Sequence, residues 1–150
     1  MKGYLLDTDV ISVFAPGRSD TPPVGGEVDK WFERNERHLF FSVVTIIELE
    51  VGVLTLARKS PGRRQRRLAE WFDEFVERYE EKVLDVDLDI ARIASQISDR
   101  AKSIGSYPGL PDVVIAATAI AGELTLLSRN IRHFKALGIE SVDPFERVPP

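Results

Sequence analysis

The 150-residue chain contains no cysteine. That absence excludes thiol nucleophiles, disulfides, iron–sulfur clusters and zinc sites built on thiolates. Histidine is nearly as scarce, with only His38 and His133, so a three-histidine zinc centre is excluded too. Any metal must rely mainly on oxygen ligands, which favours magnesium or manganese. No apolar run approaches the length of a bilayer span. The N-terminal stretch MKGYLLDTD acquires acidic residues before a signal-peptide core can form, so no membrane association is expected and the cytoplasm is the default compartment. Positive charge is not in excess either: 20 Lys and Arg stand against 24 Asp and Glu, a formal net charge of -4. That average does not suggest a nucleic-acid-binding protein. An enzyme that gathers carboxylates around a metal, however, carries negative charge where a polyanion must arrive, so the location of the positive charge is the better guide.

Residues that are 43% hydrophobic and 29% charged make an ordinary globular composition, and this length predicts one domain over residues 1–150. Tyr4, Leu5 and Leu6 form a buried strand that ends at Asp7, and Thr8 to Phe14 reads as a helix stopped by Pro16 and Gly17. Ser19 to Gly26 is a Pro- and Gly-rich loop, Val28 to Glu36 a helix and Leu39 to Val43 a second strand. Ile46, Leu49, Val53 and Leu56 lie on a helix from Thr45 to Ala57, although by propensity alone the β-branched residues Val43 to Ile47 would prolong the strand. Further helices are expected over Arg64 to Glu81, Asp87 to Ile104 with Gly105 at its end, and Asp112 to Ala121 with Gly122 as its terminator. Val83 to Val86 is a short strand or extended connection, Thr125 to Leu127 a strand, Asn130 to Leu137 a short helix and Ile139 to Val142 a last strand. Strands separated by helices imply an α/β protein, a three-layer α/β/α sandwich around a mainly parallel sheet. In such a sheet, ligands bind at the C-terminal ends of the strands.

Polar residues gather at that edge. Asp7 follows the first strand, and alone it would be read as a helix cap. Glu48 borders the apolar stripe of its helix, where a carboxylate needs a partner. Asp112 opens an almost wholly apolar helix, a position that favours an anion and is equally explained by capping. Ser128, Arg129 and Asn130 form a turn after a strand, and Asn130 on its own is a candidate cap for the next helix. Hydrolysis of a phosphodiester needs an activated water and charge neutralisation, and carboxylate-held divalent cations supply both. The segment from Arg58 to Arg67 carries six basic residues and no acidic one. It is equally compatible with a solvated junction, a surface for an acidic partner, or an arm that contacts phosphates.

Read together, these residues resemble the PIN-domain family, and within it the VapC-type ribonuclease toxins of toxin–antitoxin pairs. Leu5-Leu6-Asp7-Thr8-Asp9-Val10 looks like the family's N-terminal motif, Thr45-Ile46-Ile47-Glu48-Leu49 its second, and Leu110-Pro111-Asp112-Val113-Val114 its third. Thr125 to Asn130 followed by His133-Phe134 looks like the last. The resemblance covers nearly the whole chain. It implies a magnesium- or manganese-dependent endoribonuclease in which Asp7 and Asp112 hold the metal, while Glu48 binds it or orients the attacking water. Thr8 would support these ligands through a hydrogen bond, Ser128 and Asn130 would position phosphate or a hydrated ion, and Arg129 would contact the substrate. The implied partners are RNA, a cognate antitoxin and a second copy of the chain, assembled into a heterotetramer or larger complex. The family's fourth acid is missing, because Asn130 and His133 occupy its usual positions, and Asp9 stands where Asn is usual. Two alternatives fit parts of the pattern. Asp7-Thr8-Asp9 also resembles the nucleophile and acid pair of haloacid-dehalogenase-like phosphohydrolases, and the missing acid suits a catalytically weak PIN-like module that binds RNA or protein.

Overall fold

The computed structural model describes residues 3–17 and 25–150. Its strands are β1 (Tyr4–Leu6), β2 (Leu39–Ser42), β3 (Val83–Leu84), β4 (Thr125–Leu127) and β5 (Ser141–Val142). They form one sheet in the order β3-β2-β1-β4-β5 with every pairing parallel. The central strand is therefore β1, and the order reverses beside it, which opens a crevice between the ends of β1 and β4.

Helices cover both faces. They are α1 (Thr8–Ile11), α2 (Glu27–Asn35), α3 (Val43–Lys59), α4 (Arg63–Tyr79), α5 (Leu88–Ser103), α6 (Leu110–Gly122) and α7 (Ile131–Ala136). Successive side chains of a strand point to opposite faces, and β1 separates two cores in this way. Leu5 packs with Leu126 beneath α5 and α6, among Ala94, Ile97, Ile115 and Phe134. Tyr4 and Leu6 face the other layer, where Trp31, Leu49, Phe72 and Phe75 close over them. The α/β/α sandwich with a parallel sheet is thus the observed architecture.

Several boundaries differ from expectation for local reasons. The first helix keeps α geometry only to Ile11 and tightens into a 3₁₀ turn at Ser12–Phe14. The ambiguous segment after β2 is helical from Val43. Ser42 is extended, and its hydroxyl accepts a hydrogen bond from the Val44 N–H at 3.1 Å, so a cap overrides the β propensity of the residues that follow. The strand expected to reach Val43 stops at Ser42 for the same reason, and β3 is only Val83–Leu84. The helix expected from Asp112 begins at Leu110, with Pro111 in its first turn, where a missing N–H costs nothing. Gly122 belongs to that helix, and the left-handed residue that ends it is Glu123, at φ 49°. The loop expected from Ser19 falls, up to residue 24, outside the described residues.

Asp87 caps α5 through a 2.9 Å bond from the Ile90 N–H to its Oδ1. Asp87→Ala is expected to lower unfolding stability by about 1 kcal/mol, read from the midpoint of a urea titration. An unchanged midpoint would show that this helix is held by packing alone.

Candidate active site

The end of β1 is fastened to the end of β4 through Asp7. Its N–H donates to the Leu127 carbonyl at 2.9 Å, which extends the ladder by one bond. Its side chain is 5% exposed, and both carboxylate oxygens are engaged. Oδ1 accepts from the Thr8 N–H at 2.8 Å and so caps α1, while Oδ2 accepts from the Ser128 hydroxyl at 2.8 Å. Ser128 is fully buried, and its Oγ also receives the Asn130 N–H at 2.9 Å. Beside it, the two oxygens of Asp9 accept the Arg129 N–H at 3.2 and 3.1 Å. The turn after β4 is therefore clasped by both acids of the Asp7-Thr8-Asp9 run.

The other expected acids arrive from opposite layers. Glu48 stands on α3, half-buried, and its Oε1 accepts from the Thr8 hydroxyl at 2.7 Å. Asp112 is the third residue of α6 and, rather than capping the helix, places its Oδ2 2.9 Å from the Nδ1 of His133 on α7. Asn130 occupies the cap position of α7, but its side chain makes no capping bond. Capping therefore accounts for neither Asp112 nor Asn130, because each side chain is free of the backbone it was expected to serve.

Electrostatics tie the acids together. Burial pushes the Asp7 carboxyl up from 3.8 to about 7, and the negative charges of Asp9 and Asp112 add to this. The hydrogen bonds from Ser128 and Thr8 act in the opposite direction. Asp9 is also raised, by burial first, against the stabilising N–H and charge of Arg129. Among the described residues, no three His, Asp or Glu side chains are grouped closely enough to hold a metal ion as they stand. Each expected ligand is instead held by a neighbouring donor: Asp7 by Ser128 and Thr8, Glu48 by Thr8, and Asp112 by His133. The donor set is otherwise suited to a hard divalent cation. Its members offer carboxylate oxygens, and at Asp7 one of them is buried at the crevice. Two contributions were not assigned to the residues that make them: Asp9 secures the β4 turn, and His133 pairs with Asp112. The first depends on β4 lying beside β1, a neighbour relation that no local pattern reports. The second had one signal, the place of His133 in the last of the four motifs.

A family model for the PIN domain matches residues 4–140. The chain belongs to the PIN domain family. It is 31% identical to the VapC ribonuclease Y4jK of Sinorhizobium fredii over 147 residues, covering 95% of this chain and 97% of that protein. It is 30% identical to the toxin FitB of Neisseria gonorrhoeae over 143 residues, or 94% and 97% of the two chains. Among solved structures, FitAcB from Neisseria gonorrhoeae superposes with a TM-score of 0.76 at 29% identity, over 95% of this chain and 98% of that one. VapBC-5 of Mycobacterium tuberculosis, a member of the VapBC family of toxin-antitoxin systems, gives 0.64 at 26% identity, over 95% and 100%. This membership, together with the engagement of both Asp7 oxygens, leaves the phosphohydrolase reading without support.

Because folding raises the Asp7 pKa, the metal-free protein holds this proton more tightly than the unfolded chain does. Its stability is greatest below about pH 4 with respect to this group and is lost as pH rises through about 7. Asp7→Asn should therefore melt at a higher temperature than the metal-free wild type at pH 8, by about 2–4 °C for each kcal/mol recovered, with the difference shrinking toward pH 5. A variant that melts lower at pH 8 would show that the carboxylate is a net support of the fold.

Proposed function

We propose that this chain is a magnesium- or manganese-dependent endoribonuclease, the toxin component of a toxin–antitoxin pair. The observation that carries the reading is the buried Asp7 carboxylate at the crevice between β1 and β4, linked to Asp9 through Ser128 and to Glu48 through Thr8. The VapC ribonuclease and the FitB toxin among its relatives support the same reading. Asp7, Glu48 and Asp112 would hold the cation, which when bound supplies an activated water and neutralises charge on the transferring phosphoryl group. The chain's own residues prepare that arrangement. Ser128 fixes one oxygen of Asp7, Thr8 orients Glu48, and the exposed Arg129 offers a cation to a substrate phosphate beside Asp9. Asn130, exposed on the same turn, is free to position phosphate or a hydrated ion.

The partners follow from the same reading. RNA is the substrate, a cognate antitoxin blocks the groove at the site, and the assembly is a heterotetramer or larger complex built on a homodimer and working in the cytoplasm. Among the described residues, no helix is long and apolar enough to cross a membrane. Support for the homodimer comes from α3, whose Ile47, Val51 and Leu54 are 60%, 55% and 60% exposed at helical spacing, a stripe of apolar surface that a second copy would cover.

Purified, antitoxin-free protein should cleave a mixed pool of small RNAs with magnesium or manganese and not with chelator. Asp112→Asn should lose at least about 100-fold of that rate. Folded wild-type protein that binds RNA without cleaving it under either metal would favour a binding module, with the missing fourth acid as the cause. In the second experiment, Val51→Glu should convert a dimer to a monomer in sedimentation analysis, and a wild type that sediments as a monomer would remove the homodimer.

A further inference from the structure

We infer that Arg63, Arg64 and Arg67 form a phosphate-binding subsite that holds the RNA strand at a distance from the cleaved bond. The inference rests on the nuclease reading for what occupies the groove, and on geometry for where the strand runs. A groove leaves the acids at Thr8 and Glu48, passes Gly52 and Leu56 on α3, and reaches Arg64 on α4. There it adjoins a second cleft, whose walls are Pro16, Gly17, Arg63, Arg64 and Arg67. Pro16 and Arg64 line both, so the path from acids to arginines is continuous.

Arg64 is seated at the junction. Gly17 has φ +80°, and a Cβ added there would lie 3.4 Å from both the Cγ and Nε of Arg64, so the arginine stem crosses directly over the glycine backbone. The three arginines occupy the first two turns of α4, which carries no acidic residue in its first turn. Cations there oppose the helix dipole, and neighbours three and four residues apart repel one another. All three are exposed and make no ion pair among the described residues. Among the described residues nothing offsets their mutual repulsion, which a polyanion would relieve.

Single-stranded RNA is the occupant that these features favour. A strand whose scissile phosphate lies at the acids must send its flanking phosphates out along a groove, and this one ends in cations. The apolar floor at Leu56 and Leu68 suits base faces. An acidic polypeptide would meet the arginines equally well, and it is the alternative that the poly-glutamate probe tests.

The test uses the full chain carrying Asp112→Asn, so that RNA stays intact, with and without Arg63→Gln, Arg64→Gln and Arg67→Gln together. Arg92→Gln on α5 is the control. The probes are a uridine dodecamer, a uridine dinucleotide and a poly-glutamate peptide. The triple variant should bind the dodecamer at least about 10-fold more weakly, and the slope of log affinity against log salt should fall by about 2, or about 0.7 for each phosphate that is no longer neutralised. Dinucleotide binding, the control variant and thermal stability should not decline. In the otherwise wild-type chain, the triple variant should lower kcat/KM for long RNA and spare the dinucleotide. Unchanged dodecamer affinity and salt slope overturn the subsite, as does a parent chain that binds no dodecamer. Loss confined to poly-glutamate binding assigns the arginines to an acidic protein instead. A wild type that cleaves nothing would end the nuclease reading, while the binding measurements would still decide the subsite.

Discussion

The carboxylate of Asp7 is withdrawn from water at the end of the central strand, and much of the surrounding geometry is organised by what it then requires. A buried acid needs donors to both oxygens, and these come from two different elements: the Thr8 N–H that starts α1 and the Ser128 hydroxyl that follows β4. One side chain thereby joins a strand, a helix and a turn that lie 121 residues apart in sequence. The donors do not fully compensate, and the carboxyl stays well above its ordinary range with Asp9 and Asp112 nearby. Carboxyls shifted in this way by burial and by neighbouring acids cluster at functional sites.

The sandwich explains how acids so far apart in sequence come to one place. Glu48 rides on α3, whose Leu49 and Val53 belong to the core containing Tyr4 and Leu6. Asp112 rides on α6, whose Val113 and Ile115 belong to the core containing Leu5. The two helices lie on opposite sides of β1, and the edge beyond that strand is where carboxylates from both layers can approach Asp7. The order reversal at β1 keeps that edge open, since a sheet wound in one direction would have offered no crevice there.

Much of this was legible in the amino-acid sequence, because the relevant signals are local. An apolar run ending in an acid marked the edge of β1, and Glu48, at the border of an apolar stripe, called for the partner that Thr8 provides. What stayed hidden involves either competition between local preferences or neighbours distant in the chain. The β-branched residues Val43 to Ile47 blurred where the strand gives way to the helix expected from Thr45, and that boundary falls to the Ser42 hydroxyl. The bonds from Asp9 to the Arg129 N–H and from Asp112 to His133 join residues 120 and 21 apart, so they follow from the order of strands and helices rather than from any motif.

The same serine has a geometric corollary. Because Ser42 ends β2 and caps α3 with no intervening linker, the phase of the whole helix is locked to the pleat of the strand. Each residue of an α-helix advances the side-chain direction by about 100°. A single insertion or deletion between Phe41 and Glu48 would swing the glutamate away from Thr8 and turn a different face of α3 outward. Length variation is therefore intolerable at this elbow, whereas the turn from residue 60 to 62 joins two helices and is fixed to no strand end.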